Sequence, residues 1–166
     1  RKLPIDNYYL FASKKSAGKE IDFMGKKHTV IELTEENVNA LKGKIDFALF
    51  SAGGETSKNF APVFVNIGAV VVDNSSQWRM HENVPLVVPE VNPEDINWHS
   101  GIIANPNCST IQAVVALKPL QKRFGIKRIV YSTYQAVSGA GMQGFMDLQE
   151  GIKGEEAVSV AVYMAR

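Results

Sequence analysis

One cysteine, no long apolar run and almost no net charge set the first limits on this 166-residue chain. A single thiol excludes a disulfide framework, and without a second there is no cysteine pair to hold zinc. No apolar run approaches membrane-spanning length, and the opening R-K-L-P-I-D is not a signal peptide, so a cytoplasmic protein without membrane contact is expected. A net charge of +1, with no basic run interleaved with aromatics, excludes a general nucleic-acid binder. The three histidines, His28, His81 and His99, form neither a metal-ligand nor a triad pattern, so no metal is expected and none is given a catalytic role. His28 and His81 are expected at the surface, while His99 lies near enough in sequence to approach the cysteine. A hydrophobic content of 45% against 21% charged residues is that of a globular protein, long enough for one domain or one and a fraction.

What is present is a repeating alternation. Residues 8–12 (Y-Y-L-F-A) and 27–32 read as strands, and 35–41 as a short helix capped by Thr34, with Asn37 at the capping-box position. Residues 46–50 read as a buried strand, 58–68 as a helix and 69–73 as a strand again. Strand–helix–strand repetition with apolar strands implies a parallel sheet covered on both faces, an α/β, doubly wound, Rossmann-like architecture. Such folds carry a G-x-G-x-x-G turn after the first strand, and this chain has none. It begins where a second strand would begin, so the first βα unit is expected to be absent. A polypeptide of these residues alone would then expose a sheet edge and express poorly.

The cysteine has an informative setting. Cys108 follows a short β-branched run and an Asn-Pro-Asn turn, then opens a long apolar segment that reads as a helix. Sulfur there lies among unpaired backbone N–H groups at the positive end of the helix dipole, an environment that favours thiolate. The alternative is a small buried packing residue.

Four further segments sit where strands end, the edge at which open α/β sheets bind ligands. Residues 12–19, A-S-K-K-S-A-G-K, fit either a solvated turn or a site in which lysine and serine pair with the 2′-phosphate of NADP. The F-S-A-G-G of 50–54 permits close backbone approach to phosphate or ribose, or is simply a tight turn. In D-N-S-S-Q-W-R-M, Arg79 offers a bidentate fork with Ser75 and Ser76 as nearby donors, and stacking on the adjacent tryptophan is the other option. A strand from Ile129 is expected to end in a polar, glycine-rich turn holding Gln135 and S-G-A-G, which would serve cofactor approach or a hinge.

Taken in order, S-A-G-G, D-N-S-S-x-W-R-M, P-L-V-V-P-E-V-N, A-N-P-N-C-S-T-I-Q and S-T-Y-Q-A-V-S-G-A-G resemble aspartate-semialdehyde dehydrogenase of the bacterial type, from Leu3 to about Gly141. The resemblance implies an NADP-binding Rossmann-like domain over 1–107, then the start of an α+β catalytic and dimerisation domain over 108–166, within a homodimer or homotetramer when complete. It implies reversible conversion of L-aspartate 4-semialdehyde, phosphate and NADP to 4-aspartyl phosphate and NADPH, a step toward lysine, methionine, threonine and diaminopimelate.

On this mapping Cys108 is the nucleophile that forms an acyl-thioester, and the helix-terminal N–H groups after it favour charge on the substrate oxygen. Gln135, Arg79 and Asn107 contact substrate, Arg79 through phosphate or the phosphoryl group. Lys15 and Ser16, then Ser51, Ala52 and Gly53, then Ser138 and Gly139, contact NADP. Lys15 stands where relatives often carry arginine, which keeps the charge and loses the fork. The family's general-base histidine and substrate-carboxylate arginine fall in a region beyond the matched motifs. The closing G-E-E-A-V-S-V-A-V-Y-M-A-R resembles the strand that follows that histidine. Two other readings stay open. N-acetyl-glutamyl-phosphate reductase would be separated by substrate preference, and a catalytically inactive binding or oligomerisation module by a slow Cys108 alkylation rate.

Overall fold

The structure is a computed structural model that describes residues 4–154. These fall into two compact units that divide between Gly125 and Ile126. The first unit is α/β with parallel strands, a Rossmann-like arrangement as expected.

Its opening strand β1 (Phe11–Ala12) pairs in parallel with β4 (Ile31–Glu32). Between them lies an unexpected hairpin, β2 (Glu20–Phe23) and β3 (Lys26–Thr29), turned by Met24 and Gly25, both at positive φ. The strand expected over 27–32 is therefore two. The chain changes partner at the buried Val30, whose N–H donates to the Lys19 carbonyl while its own carbonyl accepts from Gly18. The hairpin also corrects the expectation for His28. Folded against Tyr8 and Phe23, its ring is half-buried rather than on the open surface.

Helix α1 (Glu35–Asn39) is capped by Thr34, whose Oγ1 accepts from the Asn37 N–H at 3.2 Å. The Asn37 side chain does not close a capping box. It donates instead to the Glu32 carbonyl, tying the helix start to β4.

The main sheet has the order β5-β6-β7, all parallel: β5 (Phe47–Phe50), β6 (Val70–Asp73) and β7 (Ile102–Ala104). Helix α2 (Gly54–Asn66) packs across all three strands. It starts four residues ahead of the 58–68 expected, because the glycine pair at the end of β5 feeds directly into its first turn. The inner face buries Ala48, Phe50, Val71, Ile102 and Ala104 against Ala61 and Phe64. Phe64 meets Phe50 edge-on at 5.3 Å between ring centroids and Phe11 at 5.4 Å, so one side chain joins both strand groups to one core. The strand expected to be buried over 46–50 instead alternates. As the outer strand of this sheet, β5 buries Ala48 and Phe50 and leaves Phe47 and Leu49 on its other face, 72% and 83% exposed.

Gly101, just before β7, has φ +101°, and a Cβ built there would lie 2.5 Å from Val65 Cγ1 of α2. A left-handed penalty of about 1–2 kcal/mol adds to an overpacking cost of about 1–3 kcal/mol. Gly101→Ala is therefore expected to destabilise the unit by about 2–5 kcal/mol, read from the urea midpoint; a shift no larger than that of an exposed loop substitution would refute the close approach.

Helix α3 (Cys108–Phe124) completes the first unit. In the second unit, the strand expected from Ile129 does not form. Residues 129–134 belong to none of the sheets formed by the described residues. A 3₁₀ turn (Val137–Ala140) and helix α4 (Gly141–Lys153) follow. The strand expected within the closing segment lies outside the described residues. Among the described residues no helix is long and apolar enough to cross a membrane.

Candidate active site

Three segments leave the carboxyl ends of β5, β6 and β7 and meet at one edge of the sheet. The first is the S-A-G-G turn, where Ser51, Ala52 and Gly53 are exposed. Gly53 has φ +93°, a conformation suited to glycine, and caps α2 with no side-chain bond, so that backbone faces outward. The next residue lies against the loop after β6: a Cβ at Gly54 would stand 3.9 Å from both Ser76 Oγ and Gln77 Cβ.

That second loop is built on the fully buried Asp73. Its carboxylate accepts from the Ser75 N–H at 3.2 Å and from the Ser75 hydroxyl at 2.6 Å, and Ser75 Oγ accepts in turn from the Gln77 N–H at 3.1 Å. Ser75 is thus committed inside the loop and is not the anion donor expected of it, whereas Ser76 is exposed. Trp78 is anchored by Nε1 donating to the buried Ser57 hydroxyl of α2 at 2.9 Å.

These anchors orient Arg79. Its Nε donates to the Asn105 carbonyl and its Nη2 to the Asn74 carbonyl, each at 3.0 Å. The Trp78 ring faces His81 instead, so the stacking alternative for the arginine is not what is seen. Among the described residues Arg79 has no carboxylate partner and its Nη1 makes no hydrogen bond. A half-buried guanidinium held along one edge keeps the donors of its other edge available, a geometry chemically suited to a planar or tetrahedral oxyanion.

The third segment runs from β7 into the cysteine. Asn105 donates its N–H to the Asp73 carbonyl at 2.8 Å, extending the sheet ladder to within three residues of Cys108. Asn107 caps α3, its Oδ1 accepting from the Ser109 N–H at 2.9 Å. Cys108 is the first residue of the helix and is exposed, which excludes the packing role. The first turn of α3 contains no acidic residue, unlike those of α1 and α2. The positive end of its dipole therefore meets no side-chain charge of its own. His99 is engaged locally, its Nδ1 accepting from the Gly101 N–H at 3.0 Å.

Ser51, Ala52, Gly53, Arg79, Asn107 and Cys108 thus share one edge. Lys15 and Ser16 lie in the turn after β1, where Ser16 donates its N–H to the Ser13 carbonyl at 2.9 Å and Lys14 and Lys15 are exposed, with no carboxylate partner among the described residues. In the second unit, Gln135 packs over the 3₁₀ turn that carries Ser138 and Gly139. A Cβ on Gly139 would fall on the Gln135 side-chain nitrogen, so the glycine makes room for that amide. Sequence reading missed Asn74, Asn105 and the Ser57–Trp78 bond. Two asparagines at strand ends were the available signal.

The model of the semialdehyde dehydrogenase NAD-binding domain matches residues 1–99, and that of the semialdehyde dehydrogenase dimerisation domain matches 117–162. The aspartate-semialdehyde dehydrogenase of Aquifex aeolicus is 59% identical over 155 residues, which is 92% of this chain and 45% of that protein. Among solved structures, aspartate semialdehyde dehydrogenase II of Vibrio cholerae, complexed with ASA, aligns with a TM-score of 0.75 at 50% identity over 83% of this chain and 44% of its own. The Candida albicans enzyme with NADP aligns with a TM-score of 0.60 at 28% identity, over 73% and 40%. The chain spans a little under half the length of these relatives.

Proposed function

The chain belongs to the semialdehyde dehydrogenase family, and from that membership we propose that it is the cofactor-binding and nucleophile-bearing part of a cytoplasmic, NADP-dependent aspartate-semialdehyde dehydrogenase. One observation carries the proposal: Arg79, with an open guanidinium edge, is bonded to the segment that delivers Cys108. An anion receptor beside a helix-terminal thiol suits a dehydrogenase that transfers its acyl group to phosphate rather than to water.

The residues present fit NADP. Lys14 and Lys15, with no carboxylate partner among the described residues, follow β1 with Ser16, and the exposed, positive-φ Gly53 follows β5. Lys15 and Ser16 would hold the 2′-phosphate, Ser51, Ala52 and Gly53 the adjoining ribose and phosphate, and Ser138 and Gly139 a further contact. NADP, when bound, supplies the hydride acceptor.

Cys108 acts on the aldehyde. Its thiolate attacks C4 of L-aspartate 4-semialdehyde to form a hemithioacetal, whose oxyanion faces N–H groups of the α3 terminus. Loss of the C4 hydride leaves the thioester. Phosphate, held on the free edge of Arg79, then attacks the thioester carbon; the C–S bond breaks, 4-aspartyl phosphate leaves and the thiolate is restored. Asn107 contributes through Nδ2, since its oxygen is already bound to the Ser109 N–H. For Gln135, carried by the second unit, the support is the family resemblance, which implies a substrate contact.

In this reading 1–107 form the cofactor domain and 108–166 the start of the catalytic and dimerisation domain of a homodimer or homotetramer. Lys15→Glu, in a family-length protein carrying these residues, is expected to raise KM for NADP about tenfold relative to NAD, the scale of one charge-assisted hydrogen bond. Unchanged relative KM values would remove Lys15 from the cofactor site. The activity itself is tested by phosphate-dependent NADP reduction with aspartate semialdehyde, against N-acetyl-glutamyl 5-semialdehyde as the competing substrate.

A further inference from the structure

We propose that Asn74 and Asn105 are positioning residues that set the anion-binding edge of Arg79, an inference that rests on the phosphate role proposed for that arginine. The two asparagines occupy equivalent places, each just beyond the carboxyl end of a neighbouring strand, and they form a closed ring with the guanidinium. Asn105 Nδ2 donates to Asn74 Oδ1 at 2.7 Å, while Arg79 donates to the main-chain carbonyls of both residues at 3.0 Å. Both backbones are fixed to the sheet, Asn74 N–H to the Phe50 carbonyl and Asn105 N–H to the Asp73 carbonyl, each at 2.8 Å. The guanidinium is thereby referenced to β5, β6 and β7 through two carbonyls whose separation the side-chain amides hold.

The placement argues against a role in general stability. Asn74 is exposed and Asn105 half-buried, and a hydrogen bond between neutral amides in contact with water contributes little net free energy. Its effect is geometric. A free arginine side chain loses rotamer entropy on being fixed, and a clasp that orders it before the anion arrives removes that cost from binding.

The test uses a family-length protein carrying these residues. Asn74→Leu and Asn105→Leu each remove one half of the same hydrogen bond without adding charge, and neither leaves an amide pair that could turn to restore it. Each is expected to raise KM for phosphate about tenfold, with the double variant within about twofold of either single one and KM for NADP held within about twofold. Phosphate KM values equal to the parent's, or effects that multiply in the double variant, would overturn the clasp, as would a parallel rise in KM for NADP, which marks a merely structural defect. Arg79→Ala separates the layers. If it leaves KM for phosphate in place, the phosphate reading fails; if it raises that KM while the leucine variants match the parent, only the clasp fails. Should Asn105→Leu not fold, Asn74→Ala removes the acceptor at the exposed position and is expected to raise phosphate KM several-fold with KM for NADP held.

Discussion

Cys108→Ser, in a family-length protein carrying these residues, is expected to lower kcat for phosphate-dependent NADP reduction by at least about a thousandfold. Serine keeps the shape at the start of α3 and the cap from Asn107, because the bond that matters there runs between Asn107 Oδ1 and the Ser109 N–H. What it loses is the anion: a hydroxyl is hardly ionised near neutral pH, and the α3 terminus alone cannot ionise it. NADP binding measured by fluorescence titration is the control for folding. A serine variant that kept more than about a tenth of kcat would show that acyl transfer does not pass through this sulfur. Iodoacetamide gives the complementary result. Cys108 is exposed, so alkylation of the folded protein should proceed without denaturant and abolish turnover.

The second large effect belongs to Arg79. Arg79→Ala is expected to raise KM for phosphate about a hundredfold, the scale of two charge-assisted hydrogen bonds. It should also lower stability by about 1–3 kcal/mol, because the Asn74 and Asn105 carbonyls lose their donors. Arg79→Lys is the sharper experiment. Lysine keeps the charge, yet a single ammonium cannot bridge two carbonyls and still present a fork to an oxyanion. Its KM for phosphate should lie nearer that of Arg79→Ala than that of the parent. A lysine variant with parent-like KM would mean that charge alone, without bidentate geometry, recruits the anion. Aspartate semialdehyde KM, measured in the same assays, serves as the internal reference.

Much of the scaffold was legible because local signals agreed with it. Thr34 announced the start of α1, the apolar run of 69–73 announced β6, and the Asn-Pro-Asn turn announced α3 with Cys108 at its head. Legibility failed where one run of residues serves two partners. Residues 27–32 look like a single strand, but Val30 bonds to Gly18 and Lys19 and splits the run between a hairpin and a parallel pair. It failed again where a partner is needed and none is described, as for the run after Ile129. The site divides in the same way. The chemical groups, a thiol, an arginine, glycines at strand ends and a lysine turn, stand out by type and neighbourhood. Their supports do not. Asn74 and Asn105 are 31 residues apart, and Ser57 and Trp78 are 21 apart. No periodicity links such pairs; only the parallel crossover brings the ends of adjacent strands together.

The cap on α3 sets a conflict between durability and use. Aspartate at position 107 would cap the helix as well as asparagine does and would add about 0.3–1 kcal/mol by meeting the dipole of a first turn that has no acid of its own. It would also replace the Nδ2 donor by a second acceptor and set a negative charge beside Cys108, where the proposed function brings phosphate. The most stable residue at this position is therefore a poor one for the reaction. Selection for thermal tolerance alone would push Asn107 toward aspartate. That change would leave a better-capped helix and, on the proposed function, a weaker site.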